Sequence, residues 1–375
     1  MNAPVKIAPP VGLLAELTHR CPLGCPYCSN PQEMDARDAE LPTEVWKRVF
    51  SEAAAAGVLQ VHLSGGEPAA RRDLVDIVAH CASLGLYTNL ITSGIGVTEE
   101  LVRKLFDAGL DHVQLSIQDS EAASADTIAG YKGAFARKAK VADWVVKAGF
   151  PLTVNAVMHR ANVAHAGAMV ALAVKLGARR VEIAHVQYYG WAIPNRAALL
   201  PARADAEKAI AEIERLKVEL AGTIVIDHVI PDYHAKYPKA CMGGWGKRTL
   251  NVTPRGKVLP CHAAETIPGL EFWNVREHAV MDIWTNSPAF NAYRGTSWMQ
   301  EPCLSCPRQS VDFGGCRCQA LALTGEAANA DPVCHLSPHH HKIAAVVLDE
   351  SHIGAGEVDY VYRRLEPAKA DAKGV

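Results

Sequence analysis

Through residues 43–229, apolar residues recur at helical spacing, and each such stretch ends at a glycine before a short apolar run begins. Val45, Trp46, Val49, Phe50 and Ala53 fall on one helix face. So do Leu74, Ile77, Val78, Cys81 and Leu84, and then Leu101, Val102, Leu105 and Phe106. The glycines are Gly57, Gly85, Gly109, Gly149, Gly177 and Gly222, and the runs after them are VLQVHLS, LYTNLIT, LDHVQLS, LTVNAVM, RRVEIAH and TIVIDHV. A glycine just past a helix supplies the left-handed turn that ends it. Short runs rich in Val, Leu and Ile are what strands covered on both faces look like. One more strand, Gly12 to Leu17, precedes the first helix. A strand followed by repeated αβ units implies a parallel sheet with right-handed crossovers. The repeats are too many for a small open sheet and too few for an eightfold barrel. The pattern predicts an α/β fold, a partial (β/α)6 TIM-like barrel, with a doubly wound sheet as the alternative.

Past residue 235 the rhythm stops. TLNVTPRGKVLPC predicts a hairpin turning at Pro254 to Lys257. Short stretches rich in Cys, Pro and Gly follow, and about 100 residues without repeated helices need something besides an apolar core, which metal can supply. The expected organisation is an N-terminal extension (1–10), the barrel (11–234), a loop-rich metal-binding domain (235–345) and a C-terminal tail (346–375), whose last stretch, LEPAKADAKGV, is small and polar and is expected to fray.

Composition narrows the function. A chain of 375 residues, 49% hydrophobic and 21% charged, is not a disordered protein. With 38 Lys+Arg against 40 Asp+Glu it lacks the basic field of a general nucleic-acid binder. It has no apolar stretch of the roughly 18 residues a membrane span needs. Its start, MNAPVKIAPP, does not read as a signal peptide, so the expected location is the cytoplasm. The 11 cysteines are the outlier: three sit near the start, Cys81 stands alone and seven fill the last third. Clustered cysteines in a reducing compartment point to metal or redox chemistry rather than disulfides.

Cys21-Pro-Leu-Gly-Cys25-Pro-Tyr-Cys28 follows the first strand directly, at the end where parallel barrels place their active sites. Closed zinc and ordinary iron–sulfur sites use four protein ligands, and this run offers three. Three thiolates on a four-iron cluster leave one iron open to a small molecule. The competing reading is a zinc site completed by His19. Ser64-Gly65-Gly66-Glu67-Pro68 ends the next strand. There two glycines would let the backbone approach a ligand, and Glu67 would accept from a ligand ammonium. Taken alone it is a plain turn. Other strand ends that could line the same mouth are Thr92-Ser93-Gly94, Ser116-Ile117-Gln118, Asn155-Ala156-Val157-Met158 and His185-Val186-Gln187.

CX3CX2C with a tyrosine before its last Cys, then GGEP after the second strand, resembles the radical S-adenosylmethionine (SAM) enzymes. The resemblance implies a partial barrel and a [4Fe-4S] cluster on Cys21, Cys25 and Cys28 that chelates SAM. It also implies a Gly65–Gly66–Glu67 loop holding the methionine ammonium, and Ser116 and Asn155 at the SAM ribose or carboxylate. In that family an electron from the cluster cleaves SAM to a 5′-deoxyadenosyl radical, which takes a hydrogen from substrate.

The C-terminal set reads Cys241-x14-Gly256-x4-Cys261, then Cys303-x2-Cys306, Cys316-x-Cys318 and Cys334. It resembles the SPASM extension of radical SAM enzymes, which implies two auxiliary iron–sulfur clusters, both [4Fe-4S] or one of them [2Fe-2S]. Where the general pattern has a Cys six positions after its CX2C, this chain has Asp312, and its CXC is shorter than usual. By resemblance, Cys303, Cys306, Asp312 and Cys334 hold one cluster, and Cys241, Cys261, Cys316 and Cys318 the other. These departures, and the LTHRCPLGCPYCSNP start, resemble the peptide-cyclising enzymes of pyrroloquinoline quinone (PQQ) biosynthesis. The activity implied is a carbon–carbon bond between a glutamate and a tyrosine of the precursor peptide PqqA. The partners implied are the peptide chaperone PqqD and a flavodoxin-type or other reductant. The alternatives are another radical SAM/SPASM enzyme, such as a sulfatase maturase or a thioether-forming peptide modifier, and a non-catalytic iron–sulfur or zinc protein. A pure carrier has no reason to leave an iron open.

Three further features have plain readings. Cys81 lies on an apolar stripe as a buried structural thiol. His339, His340 and His341 form a solvated tract, and Arg71 and Arg72 solvate the first turn of a helix.

Overall fold

The structure is a computed structural model and describes residues 7–350, 352–354 and 356–364. All seven expected parallel strands form: β1 (Gly12–Glu16), β2 (Gln60–Ser64), β3 (Tyr87–Thr92), β4 (His112–Ser116), β5 (Leu152–Met158), β6 (Arg180–His185) and β7 (Val225–Val229). Between them run α1 (Thr43–Ala55), α2 (Leu74–Ser83), α3 (Glu99–Asp107), α4 (Ala122–Ala129), α5 (Ala134–Lys147), α6 (Ala166–Lys175), α7 (Arg196–Leu199) and α8 (Arg203–Glu219). The six glycines read as helix stops all have φ between +72° and +94°, a region only glycine enters freely. The striped helix faces turn inward: Trp46, Val49, Phe50 and Ala53 are buried on α1, with Trp46 stacked on Phe50 at 5.6 Å, Leu74, Ile77, Val78 and Cys81 on α2, and Val102 and Leu105 on α3, where Phe106 is half exposed. Cys81 is a fully buried core thiol.

The sheet runs β7-β6-β5-β4-β3-β2-β1-β8-β9 and is open, with β7 and β9 at its edges. β8 (Thr249–Val252) pairs parallel with β1, and β9 (Val258–Leu259) returns antiparallel, turning through Gly256. The expected hairpin therefore forms, but it joins the barrel sheet, so the sheet crosses the boundary drawn at residue 234.

Beyond β9 the helices are short: α9 (Val280–Asn286), α10 (Pro288–Asn291), α11 (Gln309–Asp312) and α12 (Arg317–Thr324). A longer helix, α13 (His340–Glu350), runs across the boundary expected at residue 345. The histidine tract begins this helix, with His340 Nδ1 2.9 Å from Pro332 O and His341 exposed. Residues 356–364 do not lie apart as a tail: Arg363 N–H donates to Gly24 O at 2.9 Å. The LEPAKADAKGV stretch lies outside the described residues. Among the described residues no helix is long and apolar enough to cross a membrane.

Arg71 corrects the surface reading. It is 8% exposed, and its guanidinium pairs with Asp73 at 2.6 Å and donates to Leu17 O and Leu41 O. Helix α2 begins only at Leu74, so Arg71 stands in the loop before it and ties that loop to the end of β1.

Candidate functional site

Parallel pairing sets Glu16 opposite Ser64 and Ser116 opposite Asn155, so these strands all end at one rim of the sheet. A pocket of about 470 Å³ opens there. Cys21, Cys25 and Cys28 line it from the loop after β1, Ser64 from the end of β2, Gly65 and Gly66 from the loop that follows, and Ser116 and Asn155 from β4 and β5. The other strand ends singled out in the sequence meet the same pocket through Thr92, Ser93, Gln118, His185, Val186 and Gln187.

The double glycine has a structural reason of its own. Gly65 has φ +126°, and a Cβ there would sit 2.3 Å from Thr18 O; one on Gly66 would sit 2.4 Å from Arg20 O. Gly66 N–H donates to Thr18 O at 2.5 Å and Glu67 N–H to Arg20 O at 2.7 Å. The glycines thus let this loop zip onto the backbone leading into Cys21.

Glu67, the expected ligand acceptor, is held by protein groups on several sides. It is 1% exposed and its carboxylate faces protein donors: Thr92 Oγ1 at 2.8 and 2.9 Å, Ser93 N–H at 2.7 Å and Ala69 N–H at 3.0 Å. A buried carboxylate needs such partners, and here they lock the β2 loop to the end of β3. Asn155 keeps its place on the pocket wall, its amide donating to Glu182 Oε2 at 2.9 Å. Ser116 O accepts from Lys138 Nζ at 2.8 Å.

Burial dominates the electrostatics of the three thiols. It pushes Cys25 up to about 12, with Lys138 opposing, and raises Cys21 and Cys28, with Arg363 opposing. Metal ligation must therefore displace protons, and two buried cations favour that. Lys138 is 1% exposed, and burial brings its ammonium down to about 8. Neither cation was singled out in the sequence. Lys138 had a signal: on α5 it falls in the apolar stripe of Ala134, Val141, Ala142 and Val145. Arg363 had none.

The C-terminal cysteines gather into two groups. Cys241, Cys261, Cys318 and Cys316 lie side chain to side chain in a closed ring, each beside the next. Cys303, Cys306, Cys334 and Asp312 line one small cavity together. Asp312 is 7% exposed, held by Arg308 Nε at 3.2 Å and by Gly314 N–H at 3.1 Å. Phe313, at φ +51°, turns the chain so that this N–H reaches back.

Between the groups, Arg317 is fully buried and donates to Ala327 O at 2.7 Å and Asn329 O at 2.8 Å. Asp331 accepts from Cys316 N–H at 2.7 Å, and burial lifts its carboxyl to about 6. Tyr189 spans the gap between the first pocket and the ring: it lines the pocket, and its hydroxyl lies 2.7 Å from Nε2 of His262, the residue after Cys261.

These donor sets fit thiolate-ligated iron–sulfur clusters: three thiols at an open pocket, a closed ring of four, and three thiols with a carboxylate. Among the described residues no three His, Cys, Asp or Glu groups converge to hold a single metal ion. A cluster does not need that convergence, because each ligand binds a different iron.

Residues 15–173 match the family model of the radical SAM superfamily, and residues 241–307 match the SPASM model, an iron–sulfur cluster-binding domain. A PqqA peptide cyclase of Methylocella silvestris is 73% identical over 367 residues, 98% of each chain. One of Granulibacter bethesdensis is 54% identical over 361 residues, 96% of this chain and 95% of that one. The crystal structure of Streptococcus suis SuiB bound to S-adenosylmethionine superposes with a TM-score of 0.73 at 19% identity, covering 88% of this chain and 78% of that one, a likeness of fold.

Proposed function

The chain belongs to the PqqA peptide cyclases, radical SAM enzymes that carry a SPASM domain, and from that premise we propose that it joins a glutamate and a tyrosine side chain of PqqA through a new carbon–carbon bond. Bound at the first pocket, a [4Fe-4S] cluster and SAM would supply a 5′-deoxyadenosyl radical that takes one hydrogen atom from the peptide, while the second hydrogen lost on coupling would leave as a proton and its electron would pass to the auxiliary clusters. Cys21, Cys25 and Cys28 hold that cluster. Gly65, Gly66, Ser116 and Asn155 form the wall against which SAM lies, and the Gly65–Gly66–Glu67 loop receives its ammonium, with Thr92 and Ser93 fixing the Glu67 carboxylate. Cys241, Cys261, Cys316 and Cys318 hold one auxiliary cluster. Cys303, Cys306, Cys334 and Asp312 hold the other, with Arg308 orienting the carboxylate. PqqD presents the peptide, and a flavodoxin-type or other reductant delivers the electron.

One observation carries this reading: three cysteines, and three only among its lining residues, face a pocket large enough for a small molecule beside the double-glycine loop. The test is the triple substitution Cys21→Ala, Cys25→Ala, Cys28→Ala in anaerobically reconstituted protein. It should abolish 5′-deoxyadenosine and cross-linked PqqA while the auxiliary sites keep their iron. Residual 5′-deoxyadenosine formation would overturn the assignment.

A further inference from the structure

The chain passes the cysteine loop twice, first as residues 19–28 and again, near its C-terminus, as residues 360–363. The second pass is built in. Asn195, 1% exposed, grips Val361 from both sides, accepting from its N–H at 2.7 Å and donating to its carbonyl at 2.8 Å. The same amide nitrogen donates to Pro26 O at 3.0 Å, inside the cysteine motif. Tyr362 Oη donates to Thr127 O at 2.9 Å. The ring of Tyr362 lies where a Cβ on Gly130 would come within 2.9 Å of it.

The motif's own glycine makes room for this strand. A Cβ on Gly24 would meet Arg363 O at 3.2 Å and Tyr362 Cβ at 3.3 Å. Arg363 N–H then donates to Gly24 O at 2.9 Å, and the side chain reaches inward. Its guanidinium donates to His19 O at 3.1 Å, Cys21 O at 3.0 Å and Leu23 O at 3.4 Å, and it lines the pocket at 6% exposure. Among the described residues no carboxylate pairs with it: its neighbours are neutral carbonyls, the Met34 sulfur at 2.8 Å and the three thiols' pocket. A buried cation is costly without a counter-charge. Thiolates carrying a cluster would supply one, since a cluster on three of them is anionic.

We propose that residues 360–363 form a strap that completes the three-cysteine site, with Arg363 as its positioning residue. The guanidinium holds the carbonyls of the cysteine loop in the ligating shape and balances the negative charge of a thiolate-bound iron–sulfur cluster. This rests on the cluster assignment of the preceding subsection. It also assigns the C-terminal end of the chain to the N-terminal metal site.

The test compares Arg363→Gln, Arg363→Lys and Tyr362→Ala with the parent protein and with the triple cysteine variant. In metal-free protein, amide exchange of residues 19–25 should rise about tenfold in Arg363→Gln and less in Arg363→Lys. In reconstituted anaerobic protein, Arg363→Gln should shift the midpoint potential of the three-cysteine cluster downward, because reduction adds negative charge that no cation then offsets. Arg363→Lys should restore most of that shift. The auxiliary signals should not move. Tyr362→Ala, which loosens the strap but keeps the charge, should raise exchange without the full potential shift. If the triple cysteine variant loses the cluster signal and Arg363→Gln leaves exchange and potential at parent values, the strap proposal is overturned and the cluster assignment stands. If the triple variant keeps that signal, the cluster assignment itself is overturned and the strap proposal falls with it.

Discussion

The barrel and the cysteine-rich region beyond it hold their ligands in opposite ways. In the barrel, one apolar core runs through every strand from β1 to β9, the helices that cover them and α9 and α10, and Cys21, Cys25 and Cys28 stand outside it on a loop. Beyond β9, helices α9 to α12 are at most eight residues long. The buried cluster around the four-thiol ring has eight members, two of which, Cys261 and Cys318, are proposed ligands, with Cys241 and Cys316 packed against it. In the first region the fold positions the thiols; in the second the thiols are much of the core. Losing metal from the first site should therefore cost function, whereas losing it from the second should cost structure.

The largest effect expected of this contrast comes from chelating all iron. Amide exchange over residues 261–270 and 303–334, which pack on the thiols, should accelerate on the order of a hundredfold or more, while β2 to β5, and β8 beside β1, change little. Equal acceleration in both regions would erase the distinction. Next in size is Leu63→Ala, which truncates a fully buried side chain on β2. It should lower barrel stability by about 2–5 kcal/mol in a denaturant titration of metal-free protein, since the barrel core owes nothing to metal.

A smaller effect is the acid sensitivity of the barrel. Burial holds His159 down to about 4, and its Nε2 has no partner. Above the ordinary histidine value of about 6.5 the folded and unfolded chains are both neutral there. As pH falls from 6.5, the unfolded chain takes up a proton that the folded one refuses until about 4. Stability is thus complete above 6.5 and declines by about 3 kcal/mol across that window, and His159→Gln should flatten the decline. A melting temperature of His159→Gln that falls with acid as steeply as the parent's would exclude His159 as the cause.

The smallest structural effect is expected at Asp312. Asp312→Cys keeps a ligand in place, so it should alter the potential and spectrum of that cluster while changing stability by less than about 1 kcal/mol. Asp312→Ala should open an iron site or lose the cluster. Parent-like iron content and spectra in Asp312→Ala would remove it from the ligand set.

Much of this was legible in the sequence because it is local. Six helix-ending glycines, the strands behind them and the 254–257 turn depend on conformational preferences within a few residues, and they recur in the structure at the expected positions. The spacing of Cys21, Cys25 and Cys28 is local too, whereas Asp312 was singled out by its place in the pattern of the resembling SPASM domains. Lys138 could have been read from its place in an apolar stripe.

The rest was settled by contacts between distant residues, which leave no local mark. The sequence placed a glutamate after two glycines, but only the folded chain shows that Thr92 and Ser93 hold its carboxylate. The hairpin was readable, whereas its docking beside β1 needed the sheet edge that folding creates. Arg71 reads as a surface residue until Leu17 and Leu41 close over it. Arg363 meets His19 across 344 positions of chain, and only the folded path, fixed by Asn195 and admitted by Gly24, brings a C-terminal cation to an N-terminal metal site.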